Sequence, residues 1–95
     1  MNLDITEAAA EWYKDEFDLS QKANLRLFVR YGGVGGLVPG FSIGINIEEP
    51  NQIYAEKTVN NLTIYIEEKD AWYFGDKNLL IEFNYDLHEP KFIYS

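Results

Sequence analysis

Two stretches of strict alternation, separated by a glycine-rich segment, constrain the fold of this 95-residue chain more than any other feature. Residues 25–31 place Leu, Leu, Val and Tyr on one side and Arg, Phe and Arg on the other. Residues 41–47 alternate Phe and three Ile with Ser, Gly and Asn. This period of two predicts two β-strands, each with a wetter face. The small outward residues of the second strand leave room for another side chain or backbone to approach closely.

The remaining patterns complete a small α+β domain that spans residues 1–95 and is dominated by mixed or antiparallel β-sheet. Asp4 and Thr6 are alternative N-caps for an N-terminal helix, and Asn60 with Asn61 tolerates the positive φ angles of a tight hairpin. The aromatic tail, residues 86–95, is expected to pack onto the domain or a partner. Four elements are predicted: a helix over 6–17, a hairpin of 53–58 with 62–67, a short helix over 67–74 ended by Gly75, and a strand over 79–85.

Charge and composition exclude several function classes. Eight basic against sixteen acidic residues give a net charge of −8, which repels nucleic acids and anionic membrane surfaces. No window approaches the roughly 18 apolar residues that a membrane-spanning helix needs, and the acidic N-terminus is unlike a signal peptide. The chain has no cysteine, so disulfides and thiolate metal sites are excluded. We therefore expect a cytoplasmic protein with no nucleic-acid or membrane partner.

The glycine-rich segment carries five glycines in the nine positions from Gly32 to Gly40. Glycine permits positive φ angles and close approach of another chain. Phosphate binding is disfavoured, because no Lys-Ser or Lys-Thr pair follows and the loop leads into a strand where a phosphate loop would open a helix. The predicted contact surface comprises Gly32, Gly33, Val34, Val38, Gly40 and Phe41.

This segment resembles the A-type iron–sulfur carriers, the HesB/IscA-like family. The resemblance rests on residues 25–33 as strand and leading glycines, on Gly40-Phe41 as the closing Gly-Phe, and on residues 5–10 as the start of the first helix. It implies a HesB-like fold and a relation to iron–sulfur cluster biogenesis. The family's loop cysteine would fall on Val34 or near Val38, and its C-terminal Cys-x-Cys pair within residues 88–94.

None of those positions holds a cysteine, which identifies a cysteine-free, divergent member of the family. Iron–sulfur clusters are held by thiolates, so binding of a cluster by three cysteines is excluded and no cofactor is expected. The alternative is a small binding module or iron-binding protein that uses His88 with Asp86 and Glu89. A surface role for this single histidine is favoured over that metal site.

No catalytic constellation is present, since the serines have one candidate base, His88, and lack a nucleophile-elbow context. We therefore predict a non-enzymatic adaptor or regulatory protein. The aromatics around residues 72–74 exceed what one sheet can bury, which predicts a homodimer or a protein partner, with the iron–sulfur assembly machinery as the implied one.

Overall fold

The computed structural model describes residues 1–33 and 36–95. The elements follow in the order β1 (Leu3–Ile5), α1 (Glu7–Glu16), β2 (Ala23–Tyr31), β3 (Phe41–Ile47), β4 (Ile53–Val59), β5 (Leu62–Glu67), a 3-10 turn (Glu68–Asp70), α2 (Ala71–Phe74), β6 (Leu79–Asn84) and β7 (Glu89–Tyr94). This is the small α+β fold that the sequence predicts.

Two sheets make up the domain. The four-stranded sheet has the order β3-β2-β5-β4, in which β2 and β5 are parallel and the outer pairs are antiparallel. The three-stranded sheet has the order β1-β6-β7, with β1 parallel and β7 antiparallel to β6. The sheets approach each other at β1 and β4, where Asp4 and Lys57 form an ion pair at 3.8 Å.

The hydrophobic core joins both sheets to the two helices. Its buried residues come from β1, α1, β2, β5, α2 and β6, and are Leu3, Ile5, Ala9, Ala10, Tyr13, Leu25, Leu27, Leu62, Ile64, Ile66, Tyr73, Phe74, Leu79 and Ile81. Burial of an aliphatic or aromatic side chain stabilises the fold by about 1.5–3 kcal/mol. With no disulfide available, this apolar contact is the main stabilising term.

The second face of β5 is buried as well, although its residues are polar. The Thr63 hydroxyl lies 2.7 Å from that of Thr58, and the Tyr65 hydroxyl donates to the carbonyl of Glu48. The Glu67 carboxylate accepts from two backbone N–H groups, those of Asn51 at 3.0 Å and Gln52 at 2.9 Å. These three side chains therefore each have a hydrogen-bond partner, which offsets the penalty of desolvation.

Most predicted elements agree with the structure. Strand β3 has the predicted bounds, and the β4–β5 hairpin turns through Asn60 (φ 52°) and Asn61 (φ 68°), both in the left-handed region. Gly75 ends α2 with φ 56°. The predicted close approach to the small residues of β3 is also present, because a Cβ on Gly44 would collide with the ring of Phe28.

Two strands were not predicted, and one predicted cap was wrong. Residues 3–5 form β1, so Asp4 lies in a strand and its carboxylate accepts from its neighbour Ile5 at 2.8 Å. The helix cap is Thr6, whose Oγ1 accepts from Ala9 N at 3.3 Å. The tail packs back onto the domain as expected. It does so as a second unpredicted strand, β7, which pairs with β6.

No helix in the described part of the chain is both long enough and apolar enough to cross a membrane.

The two candidate caps can be separated by mutation. Thr6→Ala removes the bond to Ala9 and is expected to lower the free energy of unfolding by about 1 kcal/mol. Asp4→Ala, the matched control, loses only an exposed ion pair and a local contact, and is expected to stay within about 0.5 kcal/mol of the parent. Urea unfolding followed by tryptophan fluorescence measures both values, and a larger loss for Asp4→Ala would contradict the assignment.

Alkaline pH is expected to destabilise the fold. Burial raises the pKa of the Tyr13 and Tyr65 hydroxyls above the ordinary value. The unfolded chain releases these protons near pH 10 while the folded chain retains them, so stability is unaffected below about pH 10 and falls above it. The slope for each tyrosine is about 1.4 kcal/mol per pH unit. Urea midpoints from pH 8 upward should show a shallower decline for Tyr13→Phe, and an unchanged slope would refute the explanation.

Candidate functional site

The glycine-rich loop leaves β2 and enters β3 through a tight backbone arrangement. Gly32 (φ 100°), Gly33 (φ 82°) and Gly40 (φ 85°) lie in the left-handed region, where other residues are strained. The N–H of Gly32 donates to the carbonyl of Gly40 at 2.7 Å, which extends the β2–β3 ladder by one pair. Val34, the predicted contact residue between them, lies outside the described residues.

The loop is attached to α2 through a buried hydroxyl. Leu37 donates its N–H to the hydroxyl of Tyr73, a side chain that is only 2% exposed. Gly36 lies beside this bond, and a Cβ there would collide with the Phe41 carbonyl and with the Tyr73 hydroxyl. A residue with a side chain does not fit at position 36 without moving backbone. The second half of the loop is therefore held in place by packing and hydrogen bonding.

Three aromatic side chains next to the loop form an exposed array, which we call the aromatic surface: Tyr31, Phe41 and Trp72. The ring of Phe41 meets Tyr31 at 5.7 Å and Trp72 at 5.3 Å between centroids, both edge to face. Tyr31 is 86% exposed and Trp72 56% exposed, whereas Phe41 is partly buried against the core. Large aromatic rings at such exposure are typical of surfaces that contact another protein.

On the other side of the loop a cleft of about 400 Å³ separates β3 from β7. We call it the edge cleft; its lining residues are Gly36, Ser42, Ile43, Glu89, Pro90, Phe92 and Tyr94. The oxygen-bearing side chains there are the Ser42 and Tyr94 hydroxyls and the Glu89 carboxylate. Burial, and then the neighbouring Tyr73, raises the pKa of Tyr94, so this hydroxyl stays protonated at neutral pH. The lining of the cleft comes from both segments in which the resemblance locates the family's cysteines, the glycine-rich loop and the C-terminal segment.

The predicted metal residues lie at the start of β7 and in the turn that precedes it. His88 is exposed in the β6–β7 turn with φ 54°, and its ring is 6.5 Å from that of Phe83. Asp86 and Glu89 flank it in sequence, but within residues 1–33 and 36–95 no three such side chains converge as ligands. Iron binding at His88 therefore stays a prediction with no geometric support from this turn.

The described residues of the predicted contact surface divide between two environments. Gly32, Gly33 and Gly40 form the backbone turns, and Phe41 belongs to the aromatic surface. Val38 is partly buried and packs against the core. Contact of Val38 with another molecule stays a prediction.

Comparison with known proteins identifies the family of this chain. The family described as iron-sulphur cluster biosynthesis matches residues 1–92. The chain belongs to the iron–sulfur cluster biosynthesis family. It is 40% identical over 94 residues to a protein of Bacillus subtilis named pyruvate dehydrogenase inhibitor, and the match covers 99% of both chains.

Two staphylococcal proteins are similar to this chain as well. An uncharacterised protein of Staphylococcus epidermidis is 40% identical over 98 residues, covering 99% of this chain and 97% of its own. One of Staphylococcus haemolyticus is 40% identical over 85 residues, covering 86% of each chain. No solved structure matches.

The donor set in this member of the family does not fit an iron–sulfur cluster. Clusters need thiolates, and the edge cleft offers hydroxyls and one carboxylate in a chain without cysteine. The groups that the site does offer are apolar rings, hydroxyls and backbone groups, which can bind another molecule by packing and hydrogen bonding. No step of cluster transfer is assigned to these residues.

The sequence did not reveal three features of the site: the role of Tyr73, the exposure of Trp72, and the participation of β7. Tyr73 and Leu37 are 36 positions apart, and nothing local signals their bond. The sequence predicts only that Trp72, Tyr73 and Phe74 are not all buried. The alternation of Phe92 and Tyr94 around Ile93 is the one signal that indicates a strand facing the cleft.

The fit of Gly36 generates a mutational prediction. Gly36→Ala forces backbone or Tyr73 to move and is expected to lower the free energy of unfolding by about 1–3 kcal/mol. Tyr73→Phe leaves the Leu37 N–H without its partner and is expected to cost about 1–3 kcal/mol. Thermal and urea unfolding measure both losses.

Amide exchange supplies the control for both variants. We expect faster exchange at Leu37 in Tyr73→Phe, with exchange in the β4–β5 hairpin unchanged. A Gly36→Ala protein as stable as the parent would show that the loop is not held as described.

Proposed function

We propose that this chain is a non-enzymatic inhibitor of pyruvate dehydrogenase that acts by binding its target through the aromatic surface. The observation that carries the proposal is the 40% identity, across 99% of both chains, to the Bacillus subtilis protein with that name. The absence of cysteine supports it, because the chain keeps the family fold without the ligands for cluster transport. The proposal locates the protein in the cytoplasm and makes the target enzyme its partner.

The aromatic surface suits such contact for a physical reason. Edge-to-face packing of Phe41 against Tyr31 and Trp72 orders the rings before binding, so little side-chain entropy remains to be lost. Interfaces are enriched in tyrosine and tryptophan, which often dominate their binding energy. Partnership with the iron–sulfur assembly machinery, and a homodimer through the same surface, remain predictions.

The test is inhibition of pyruvate dehydrogenase complex purified from the organism that carries this chain, measured as the rate of NADH formation. The parent protein should lower the rate in a saturable manner. Trp72→Ala should raise the half-inhibitory concentration about tenfold or more, since truncating a central interface aromatic costs roughly 2 kcal/mol. Tyr54→Ala is the matched control, because Tyr54 is 40% exposed on β4 but lies outside the aromatic surface.

Three results would contradict the proposal. An unchanged rate at large molar excess would refute inhibition itself. Inhibition that Tyr54→Ala and Trp72→Ala weaken equally would refute the assigned surface. Inhibition that persists after the inhibitor is removed by gel filtration would indicate chemical modification of the enzyme in place of contact.

A further inference from the structure

The strands on the two sides of the edge cleft both present unpaired backbone groups. Strand β3 pairs only with β2, and β7 only with β6, among the strands of the described chain. The two sheets meet at β1 and β4, so β3 and β7 are their free edges. A free edge offers a row of N–H and C=O groups to any extended chain.

The ladder register shows which groups of β3 point outward. Hydrogen-bonded pairs alternate along an antiparallel ladder, and Gly32 with Gly40 is such a pair. Counting along the register, Ser42 and Gly44 bond to β2, whereas the N–H and C=O of Ile43 and Ile45 point to the outside. No hydrogen bond from described residues reaches those outward groups.

The same reasoning applies to β7. Asn78 and Ser95 exchange both backbone bonds, at 2.9 and 3.2 Å. The alternating register then directs the backbone groups of Phe92 and Tyr94 away from β6, together with the carbonyl of Pro90. Proline has no N–H to leave unpaired there, and it is tolerated on edge strands for this reason.

Side chains beneath the cleft define what an inserted strand would contact. Ile43 and Ile45 on one side, and Phe92 and Tyr94 on the other, are partly buried and pack against the core. Every second side chain of an inserted strand would face them, and apolar groups are favoured at those positions. Among the residues that line the cleft, Glu89 carries the one charge, in a chain of net charge −8. A cationic side chain near Glu89 would complement both the charge of Glu89 and the net negative charge of the chain.

We propose that the edge cleft binds an extended segment of a partner protein by strand addition, with apolar side chains at alternate positions and a lysine or arginine next to Glu89. Backbone hydrogen bonds supply affinity and the alternate pockets supply selectivity, as in other cases of β-augmentation. The outer edges from residue 43 to 47 and from 90 to 94 accommodate about five to seven extended residues at roughly 3.3 Å each. The cleft is separate from the aromatic surface, so this proposal holds whether or not the target is pyruvate dehydrogenase.

In the experiment, random octapeptides displayed on phage are selected against the full-length chain. The affinity of the enriched peptides is then measured by the fluorescence anisotropy of a fluorescein label. Enrichment of alternating apolar residues with a terminal lysine or arginine is expected. N-methylation of the central amides that face β3 should weaken binding about tenfold or more, and so should N-methylation of the central amides of opposite parity, which face β7, because each lost backbone bond contributes to affinity. N-methylation of the first and last amides of the octapeptide, beyond the paired stretch, is the matched control and should change affinity by less than about twofold.

Protein variants locate the site without disturbing the fold. Glu89→Lys should weaken binding of the basic peptides about fivefold, and Asp86→Lys, the same charge change in the neighbouring turn, should not. Trp72→Ala should retain peptide binding. Loss of binding in Trp72→Ala would move the site to the aromatic surface and overturn the assignment to the cleft.

The remaining outcomes also decide the matter. A library that yields no alternating sequence, or equal effects of central and terminal methylation, would overturn strand addition. A dimer in sedimentation velocity, with the amides of Ile43 and Phe92 protected from exchange before peptide is added, would overturn it in favour of a second copy of this chain.

Discussion

Burial of β5 on both faces is the constraint on which the rest of the structure depends. Its apolar face joins the core, but Tyr65 and Glu67 on the other face need a cover that satisfies polar groups. Residues 48–52 and the start of α2 provide that cover. Arg26 connects them, with its guanidinium 3.2 Å from Glu48 and 3.0 Å from Asp70.

This arrangement extends from the sheet to the loop. Burial lowers the pKa of Arg26, but the hydrogen bond to Asp70 and the charges of Glu48 and Asp70 more than offset this effect. The net result is a raised pKa, so the guanidinium stays charged. Asp70 immediately precedes α2, and its bond to Arg26 attaches the start of that helix to β2. The position of α2 in turn fixes Tyr73, which holds Leu37. A loop that looks free in sequence is thus tied, through one helix, to the centre of the four-stranded sheet.

Local patterns predicted the parts of the fold that local interactions determine. The alternation of residues 41–47 gave the bounds of β3, and the positive φ angles of Asn60 and Asn61 follow from the tolerance of asparagine for that region. Strand β1 is three residues long and exists because β6 pairs with it, so Asp4 was misread as a cap. Strand β7 begins with Glu-Pro-Lys, a poor strand former, and its pairing with β6 compensates.

The candidate site divides in the same way. The glycines and Phe41 were predictable because their backbone needs are local, whereas the edge cleft is formed only when β7 folds back beside β3. Trp72 and Tyr73 have opposite environments at adjacent positions, since a short helix turns one ring to solvent and the next to the core. Sequence alone indicates that both are aromatic, and tertiary packing decides which of them is available for binding.

Loss of thiolates changes what a stable loop is useful for. Where cysteines would serve as ligands, loop rigidity fixes metal geometry. Here the same fixed backbone keeps Phe41 between Tyr31 and Trp72 and places Gly36 in the lining of the edge cleft. Rigid apolar rings and preformed strand edges lower the entropy cost of binding a protein. A net charge of −8 adds long-range attraction for basic partners, which salt would screen over about 10 Å at 0.1 M. The features that remain after removal of the ligands therefore all favour recognition by contact, and the family fold needs no cluster to maintain them.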